Sequence, residues 1–282
     1  MTTLYAGYEK LSFSLDQGVA TVTIYNPPVN LLDRELSREL RRALDQLEQD
    51  EAVRVIVLRS GIVGWFMAHY DVKLIIDWPP NIELRTEPSV TQRSFERLRS
   101  MPKATIAVLE GRAGGGGSEL ALSCDMRFAS PEAILNQPEV AFGLLPGAGG
   151  SQRLPRLVGR SRALEVILGC DDIDAATAER WGWVNRVLPA SQLSAFVTRL
   201  AARIASFPAS AVAAAKAAVL LAEGDLIADL VREVNASVPL VNDPDTWATL
   251  RRFLELGGQT AAGERRLAEL AARAARPAPP AF

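Results

Sequence analysis

Histidine and cysteine are scarce in this chain, and their scarcity removes whole classes of chemistry. The 282 residues hold one histidine, His69, and two cysteines, Cys124 and Cys170. One histidine among scattered carboxylates gives no metal-ligand spacing, so no metal site is expected. Both cysteines sit in apolar runs and read as buried free thiols, not as a disulfide framework. A basic excess is missing too: 31 basic against 33 acidic side chains leave a formal charge of −2. Nucleic-acid binding usually needs a clustered basic patch. No uninterrupted apolar stretch reaches the roughly 18 residues of a membrane span. The alanine-rich run after Pro208 is broken by Lys216 and Glu223. The opening MTTLYAGYEK has neither the cationic nor the apolar segment of a secretory leader. The expectation is a cytoplasmic enzyme without nucleic-acid or membrane partners. A composition of 48% hydrophobic and 23% charged residues suits a globular protein with a sizeable core.

Pattern then places the elements. Tyr8 to Leu15 and Val19 to Tyr25 alternate around Asp16-Gln17-Gly18, which predicts a β-hairpin ended by Asn26-Pro27-Pro28. Asp33 is placed to cap a helix with Leu36, Leu40, Leu44 and Leu47 on one face. Val53 to Leu58 is a short buried strand, and Ser60 to Tyr70 reads as a loop. A polar helix over Ser89 to Arg99 precedes Met101-Pro102-Lys103, strand Thr105 to Leu109, the turn Gly111 to Gly117, a helix from about Ser118, and strand Met126 to Ala129. Strands alternating with helices indicate an α/β core. From about Ala190 to Arg276 alanine, leucine and arginine dominate, which predicts helices; the tail from Arg276 is expected to fray.

The glycine turn carries the first functional signal. Gly111-Arg-Ala-Gly-Gly-Gly-Gly-Ser-Glu lies between an apolar strand and a helix. Four consecutive glycines cost backbone entropy and make sense where backbone approaches a ligand or presents bare N–H groups. They also fit a tight structural turn. No Gly-Lys-Ser/Thr follows, so a phosphate loop is excluded, and Glu119 stands where a third dinucleotide-fold glycine would fall. A carboxylate there repels phosphate. It suits a site where a transient oxyanion forms. Glu139 follows twenty residues later, within Asn136-Gln-Pro-Glu-Val-Ala-Phe and before a second glycine-rich turn at Gly143 to Gly150.

Gly114 to Gly159, with the motifs GGGSELALSCD and ASPEAILNQPEVAFGLLPGAGGSQRLPRLVG, and the earlier NPPVNLL at Asn26 to Leu32, resembles the crotonase (enoyl-CoA hydratase/isomerase) superfamily. The resemblance runs in family order from about residue 8 to 190. It implies an α/β spiral of ββα units over residues 1–195 and a C-terminal helical region over 196–282 that assembles trimers or dimers of trimers. It implies an acyl-CoA substrate and no cofactor beyond that CoA. The thioester oxygen would be held by two backbone N–H groups, which fall by motif on Tyr70 and Gly116. Val29, Ala68, His69, Asp71, Val72 and Gly115 are placed against the substrate. Hydratases of the family carry both glutamates, and Glu119 and Glu139 occupy both positions.

Water addition across a conjugated thioester needs a base, an acid and enolate stabilisation. Glu119, in the first turn of a helix, is assigned as base because free N–H groups favour its charged form. Glu139, with apolar neighbours, is assigned as acid. The same scaffold would also serve an isomerase, a hydrolase or decarboxylase, or a non-catalytic acyl-CoA binder. Two departures from the family pattern stand out. The loop usually reads Phe-x-Ala-Gly-Ala-Asp, and here it is Phe66-Met67-Ala68-His69-Tyr70-Asp71. The segment Phe253-Leu-Glu-Leu-Gly-Gly-Gln-Thr replaces a shorter lysine-rich ending, with a helix stop at Gly257-Gly258. A Ser118-His69-Asp71 triad can be drawn but is disfavoured, because the Ser118 position varies in the family. Lys73, Arg97, Arg99 and Lys103 are candidates for CoA phosphates, or a solvated face.

Overall fold

The computed structural model describes residues 5–79 and 81–275, so the tail expected to fray lies outside the described residues. β1 (Leu11–Asp16) and β2 (Val19–Ile24) pair antiparallel with Asp16 opposite Val19. Gln17 and Gly18 between them have φ of 46° and 79°, as a two-residue hairpin turn matched to strand twist requires. The hairpin starts at Leu11 and not at Tyr8, because the N–H groups of Glu9 and Lys10 donate to the buried Glu39 carboxylate at 2.8 and 2.9 Å instead of to a ladder. Helix α1 (Arg34–Gln49) is capped by Asp33, which accepts from Leu36 N–H at 2.7 Å, and it buries the expected leucine face.

The chain then repeats one unit: a strand in one sheet, a strand in a second sheet, and helices. β3 (Val55–Ser60) is followed by β4 (Gly64–Met67), α2 (Val72–Ile76) and α3 (Val90–Ser100). β5 (Ala104–Leu109) leads to β6 (Gly111–Gly114) and α4 (Gly116–Leu122). β7 (Met126–Ala129) leads to β8 (Ile134–Asn136), a 3-10 turn at Glu139–Phe142, α5 (Gly150–Val158) and α6 (Arg160–Gly169). β9 (Ile173–Asp174), α7 (Ala175–Trp181) and β10 (Arg186–Val187) complete the sheets. The first sheet is ordered β1-β2-β3-β5-β7-β10 and is parallel from β2 onward; the second is β4-β6-β8-β9, with only β9 antiparallel. This is the ββα spiral, and its main core lies between the sheets, built by Ile24, Leu58, Phe66, Leu109, Leu120 and Leu135 among others.

Two expectations need correction. The segment Ser60 to Tyr70 is not all loop, since it contains β4, whose three apolar residues Trp65, Phe66 and Met67 are too short a run to read as a strand. The stretch Gly111 to Gly117 is not all turn. β6 uses its first four residues, and α4 begins at Gly116, before Ser118. Where β6 starts beside β4, a Cβ on Gly111 would lie 2.0 Å from the backbone of Gly64, so glycine sets the spacing of that corner.

The C-terminal region is helical: α8 (Ala190–Ala205), α9 (Ala209–Leu220), α10 (Leu226–Val241), α11 (Pro244–Glu255), α12 (Ala261–Glu264) and α13 (Leu267–Ala275). The division between residues 195 and 196 falls inside α8, which packs Leu193, Val197 and Ala201 on Val55, Ile106 and Phe128 of the first sheet. Among the described residues no single helix is long and apolar enough to cross a membrane. Cys124 and Cys170 are buried and unpaired.

Asn30 fixes the segment between β2 and α1. It is buried with φ of 52°, accepts from Asn26 N–H at 2.6 Å, and donates to Ser60 Oγ at 2.8 Å and Phe66 O at 2.9 Å. Asn30→Ala strands these buried partners and is expected to cost about 2–4 kcal/mol of unfolding free energy in urea denaturation. A loss below ~1 kcal/mol would show that water or relaxation replaces all three bonds.

Candidate active site

The segment Asn26 to Leu32 supports the site from outside. Ala68 N–H donates to Val29 O at 3.0 Å, Leu32 N–H to His69 O at 2.9 Å, and Asp71 N–H to Leu32 O at 3.2 Å. Asn30 holds the Phe66 carbonyl. Loop 66–71 is thus fixed by its backbone, whatever its side chains are. From inside comes the glycine turn, in which each of four glycines meets one residue of that loop. A Cβ on Gly114 would lie 2.6 Å from Ala68 O, on Gly115 3.2 Å from His69 Cβ, on Gly116 3.2 Å from Tyr70 N, and on Gly117 2.2 Å from Met67 O. Gly115 also has φ of 44° and ψ of −120°, a conformation that other residues rarely adopt. Neither the Tyr70 N–H nor the Gly116 N–H donates to any group among the described residues. Two neighbouring donors are therefore left for something else.

Both glutamates come to the same place. Glu119 is buried, and its Oε1 accepts from Ala148 N–H at 2.7 Å and Gly150 N–H at 2.8 Å. These donors belong to the second glycine-rich turn, whereas the expectation had drawn on the N–H groups of its own helix. Burial pushes the Glu119 carboxyl above its ordinary range, against the two N–H donors and the Arg153 charge. Glu139 begins the 3-10 turn beyond β8, and a Cβ on Gly115 would lie 2.8 Å from its Oε1. Burial, and then the Glu119 charge, push its carboxyl well above the ordinary range. With the Gln137 amide nitrogen turned toward it, Gln137 donates to its two oxygens at 3.2 and 3.1 Å while accepting from Ser118 Oγ at 3.3 Å. The two carboxylates thus differ: Glu119 has backbone donors and a cation behind it, and Glu139 has a neutral amide and a like charge.

The remaining predicted residues make the following contacts within the chain. Val29 and Ala68 pack with Trp65, and Val72 packs with Phe142, Leu250 and Phe253. Asp71 caps α2, accepting from Lys73 N–H at 3.0 Å and from Gln259 Nε2 at 2.7 Å. The Ser118-His69-Asp71 triad is absent. Ser118 Oγ bonds Gln137, while the two His69 nitrogens face Tyr70 O at 2.7 Å and Glu264 Oε1 at 3.1 Å. Of the four cationic candidates, Arg97 bonds Asp45 and Glu48, Arg99 pairs with Glu96 and Glu223, and Lys103 donates to Leu47 O and Asp50 O. Lys73 alone has no such partner among the described residues. Arg99 and Lys103 are largely buried, so the solvated-face reading does not hold for them. Among the described residues there is no group of three histidine, cysteine, aspartate or glutamate side chains that could hold a metal ion.

Sequence reasoning missed Glu233. It lies on α10 in line with buried Leu226 and Leu230, and an acid on an apolar stripe was the readable signal. Its carboxylate accepts from Gly149 N–H at 2.7 Å, from Gln92 Nε2 at 3.1 Å and from the Ser151 hydroxyl. Burial and the nearby Glu119 charge push it up to about 7. An unfolded chain loses that proton near the ordinary glutamate value of about 4.3. Between there and about pH 7 the folded protein holds a proton that the unfolded chain has released, so this group's contribution to stability is lost as pH rises through that window. Glu233→Gln removes the slope. Thermal scans from pH 5 to pH 8 should show the variant gaining Tm relative to the wild type as pH rises; a constant difference would contradict the raised value.

Residues 14–256 match the enoyl-CoA hydratase/isomerase family model. A proposed enoyl-CoA hydratase of Bacillus subtilis (strain 168) is 40% identical over 175 residues, covering 62% of this chain and 67% of that protein. Crotonyl-CoA hydratase of Syntrophomonas wolfei subsp. wolfei is 35% identical over 212 residues, covering 75% and 81%. A crystal structure of a proposed enoyl-CoA hydratase from Streptomyces avermitilis superposes with a TM-score of 0.89 at 39% identity, covering 96% of this chain and 100% of that one. The chain is an enzyme of the enoyl-CoA hydratase/isomerase family, the crotonase superfamily that its glycine turn and paired glutamates resemble.

Proposed function

We propose that this enzyme adds water to a 2-enoyl-CoA thioester. The observation that carries the reading is the pair of unengaged N–H groups at Tyr70 and Gly116 beside two unlike carboxylates. The thioester oxygen sits between the two N–H groups, which stabilise the negative charge it gains as the enolate forms. Glu119 is the base. Both of its backbone bonds fall on Oε1, leaving Oε2 to accept from water. Water loses a proton to Glu119 as its oxygen bonds to the β-carbon, and protonated Glu139 delivers a proton to the α-carbon. Dehydration reverses both roles. The hydratase reading is favoured over an isomerase because Glu119 is held in place by two dedicated donors, which an enzyme relying on Glu139 alone does not require.

The reading extends to assembly as a trimer or dimer of trimers. Its support is that α9 buries none of its residues within the chain, and that Leu168, Val219 and Leu221 are exposed.

Loss of the conjugated thioester absorbance measures the reaction directly. Glu119→Gln and Glu139→Gln are each expected to slow hydration by roughly 10²- to 10⁴-fold with little change in thioester binding. Wild-type activity should fall as pH rises through the raised ionisation of Glu139, since the acid is lost there. Near-full activity of Glu139→Gln on a verified substrate would rule out the two-carboxylate mechanism. Deuterium exchange at the α-carbon without hydration would instead mark an isomerase.

A further inference from the structure

The two departures from the family pattern meet in space. His69, in place of the usual glycine, is buried directly before Tyr70. Its Nδ1 lies 2.7 Å from Tyr70 O and its Nε2 lies 3.1 Å from Glu264 Oε1. Glu264 ends α12, four residues beyond the segment Phe253 to Thr260 that replaces the usual family ending, and its side chain is 1% exposed. Both ring nitrogens therefore face oxygen acceptors. A neutral imidazole has only one N–H and would turn a lone pair on one of them, so the geometry calls for the imidazolium. The Nε2 proton is not aligned on the carboxylate as a directed hydrogen bond, so the attraction there is mainly between charges.

A second contact flanks the other side of Tyr70. Gln259 Nε2 donates to Asp71 Oδ1 at 2.7 Å, and Gln259 N–H donates to Glu264 Oε1 at 2.6 Å. The segment is held in turn by Gly258, where a Cβ would lie 2.5 Å from the Phe253 ring, and Phe253 packs on the His69 ring at 6.0 Å. Ala261 packs against the Val29, Trp65 and Ala68 cluster. Residues 69 and 71 are thus both gripped by one C-terminal segment, with the Tyr70 N–H between them.

We infer that Glu264 and Gln259 are positioning residues that clamp the His69-Tyr70 peptide from behind, so that the Tyr70 N–H stays aimed beside that of Gly116. The kinetic part of this inference rests on the hydratase reading above; the structural part does not. Burial works against charge on His69, but Glu264, the Tyr70 carbonyl and Asp71 together carry its pKa above the ordinary value. The charged groups facing the pair are Glu264 on α12, Asp71 on the same loop, and Arg112 on β6, which acts on Glu264.

Since His69 is the chain's only histidine, its imidazole gives a single assignable signal in nitrogen-labelled protein. The wild type should titrate above the ordinary histidine range, and Glu264→Gln below the wild type. In Glu264→Gln and in Gln259→Ala the Leu32 and Asp71 amides, whose bonds to His69 O and Leu32 O fix the loop on either side of Tyr70, should exchange with solvent faster. Hydration kcat should fall on the order of 10- to 100-fold with KM nearly unchanged. Unchanged kcat in both variants, or wild-type His69 titrating at or below the ordinary value, would overturn the clamp. A purely structural role would lower Tm without separating kcat from KM. If Glu264→Gln does not fold, Gln259→Ala carries the kinetic and exchange arms. A wild type that hydrates no enoyl thioester sinks the hydratase reading alone, because the titration and exchange results still decide the clamp.

Discussion

The close approach of Gly114–Gly117 to Met67–Tyr70 is the contact on which the active region depends. It joins the ends of β4 and β6 to the start of α4, and it leaves no room for a Cβ at Gly114 or Gly117, which would lie 2.6 and 2.2 Å from loop carbonyl oxygens. The approach explains why two N–H groups lie next to each other without partners. A buried unpaired N–H costs on the order of 1–3 kcal/mol, so the fold tolerates the pair only because the flanking backbone is pinned elsewhere. The pinning comes from the Asn26–Leu32 strap on one side and from the ladder between β6 and β8 on the other.

Carboxylate burial is the second constraint. Glu119, Glu139 and Glu233 gather around the second glycine-rich turn. Arg153 behind them is itself bonded to Glu96 at 3.0 Å. One shared cation does not neutralise three acids, so backbone dipoles take up part of the charge. Successive N–H groups are divided among the carboxylates: Ala148 and Gly150 donate to Glu119, and Gly149 donates to Glu233. This arrangement requires glycine at 149, where φ is 105° and a Cβ would overlap the Arg153 guanidinium. Glu139 receives none of these three N–H groups, and burial with the Glu119 charge beside it holds its carboxyl well above the ordinary range. The surroundings of Glu119 and Glu233 thus depend on how three consecutive peptide groups are shared.

Much of this was legible in the residues, and the reasons for the gaps are physical. The hairpin, α1 and β7 followed from alternation, capping and apolar runs, because those signals are local. β4 was missed because a four-residue strand closed by partners far along the chain has no local period. The glycine turn, Glu119 and Glu139 could be singled out because they lie in or beside glycine-rich motifs. Glu233 and Glu264 carry no such motif: they reach this region through tertiary packing of α10 and α12, at 84 residues from Gly149 in the first case, and only the apolar stripe around Glu233 marks it locally. Arg99 and Lys103 looked solvated for the same reason: their partners Glu223 and Leu47 are remote in sequence.

The replacement of a glycine by His69 then has a physical context. An imidazolium without Glu264 would keep only the Tyr70 carbonyl and the more distant Asp71 charge, and Glu264 without His69 would keep one N–H and the Arg112 charge. Breaking one side of a buried ion pair costs about 3–5 kcal/mol, so neither residue is expected to persist without the other or some substitute. The loop that carries the unengaged Tyr70 N–H is therefore tied to the C-terminal region in a way that a glycine at position 69 does not provide. The glycine gives backbone freedom, whereas the histidine exchanges that freedom for an external anchor. The unusual loop, the segment Phe253 to Thr260 and α12 are joined by these side-chain contacts, which is why they are best understood as one structural feature.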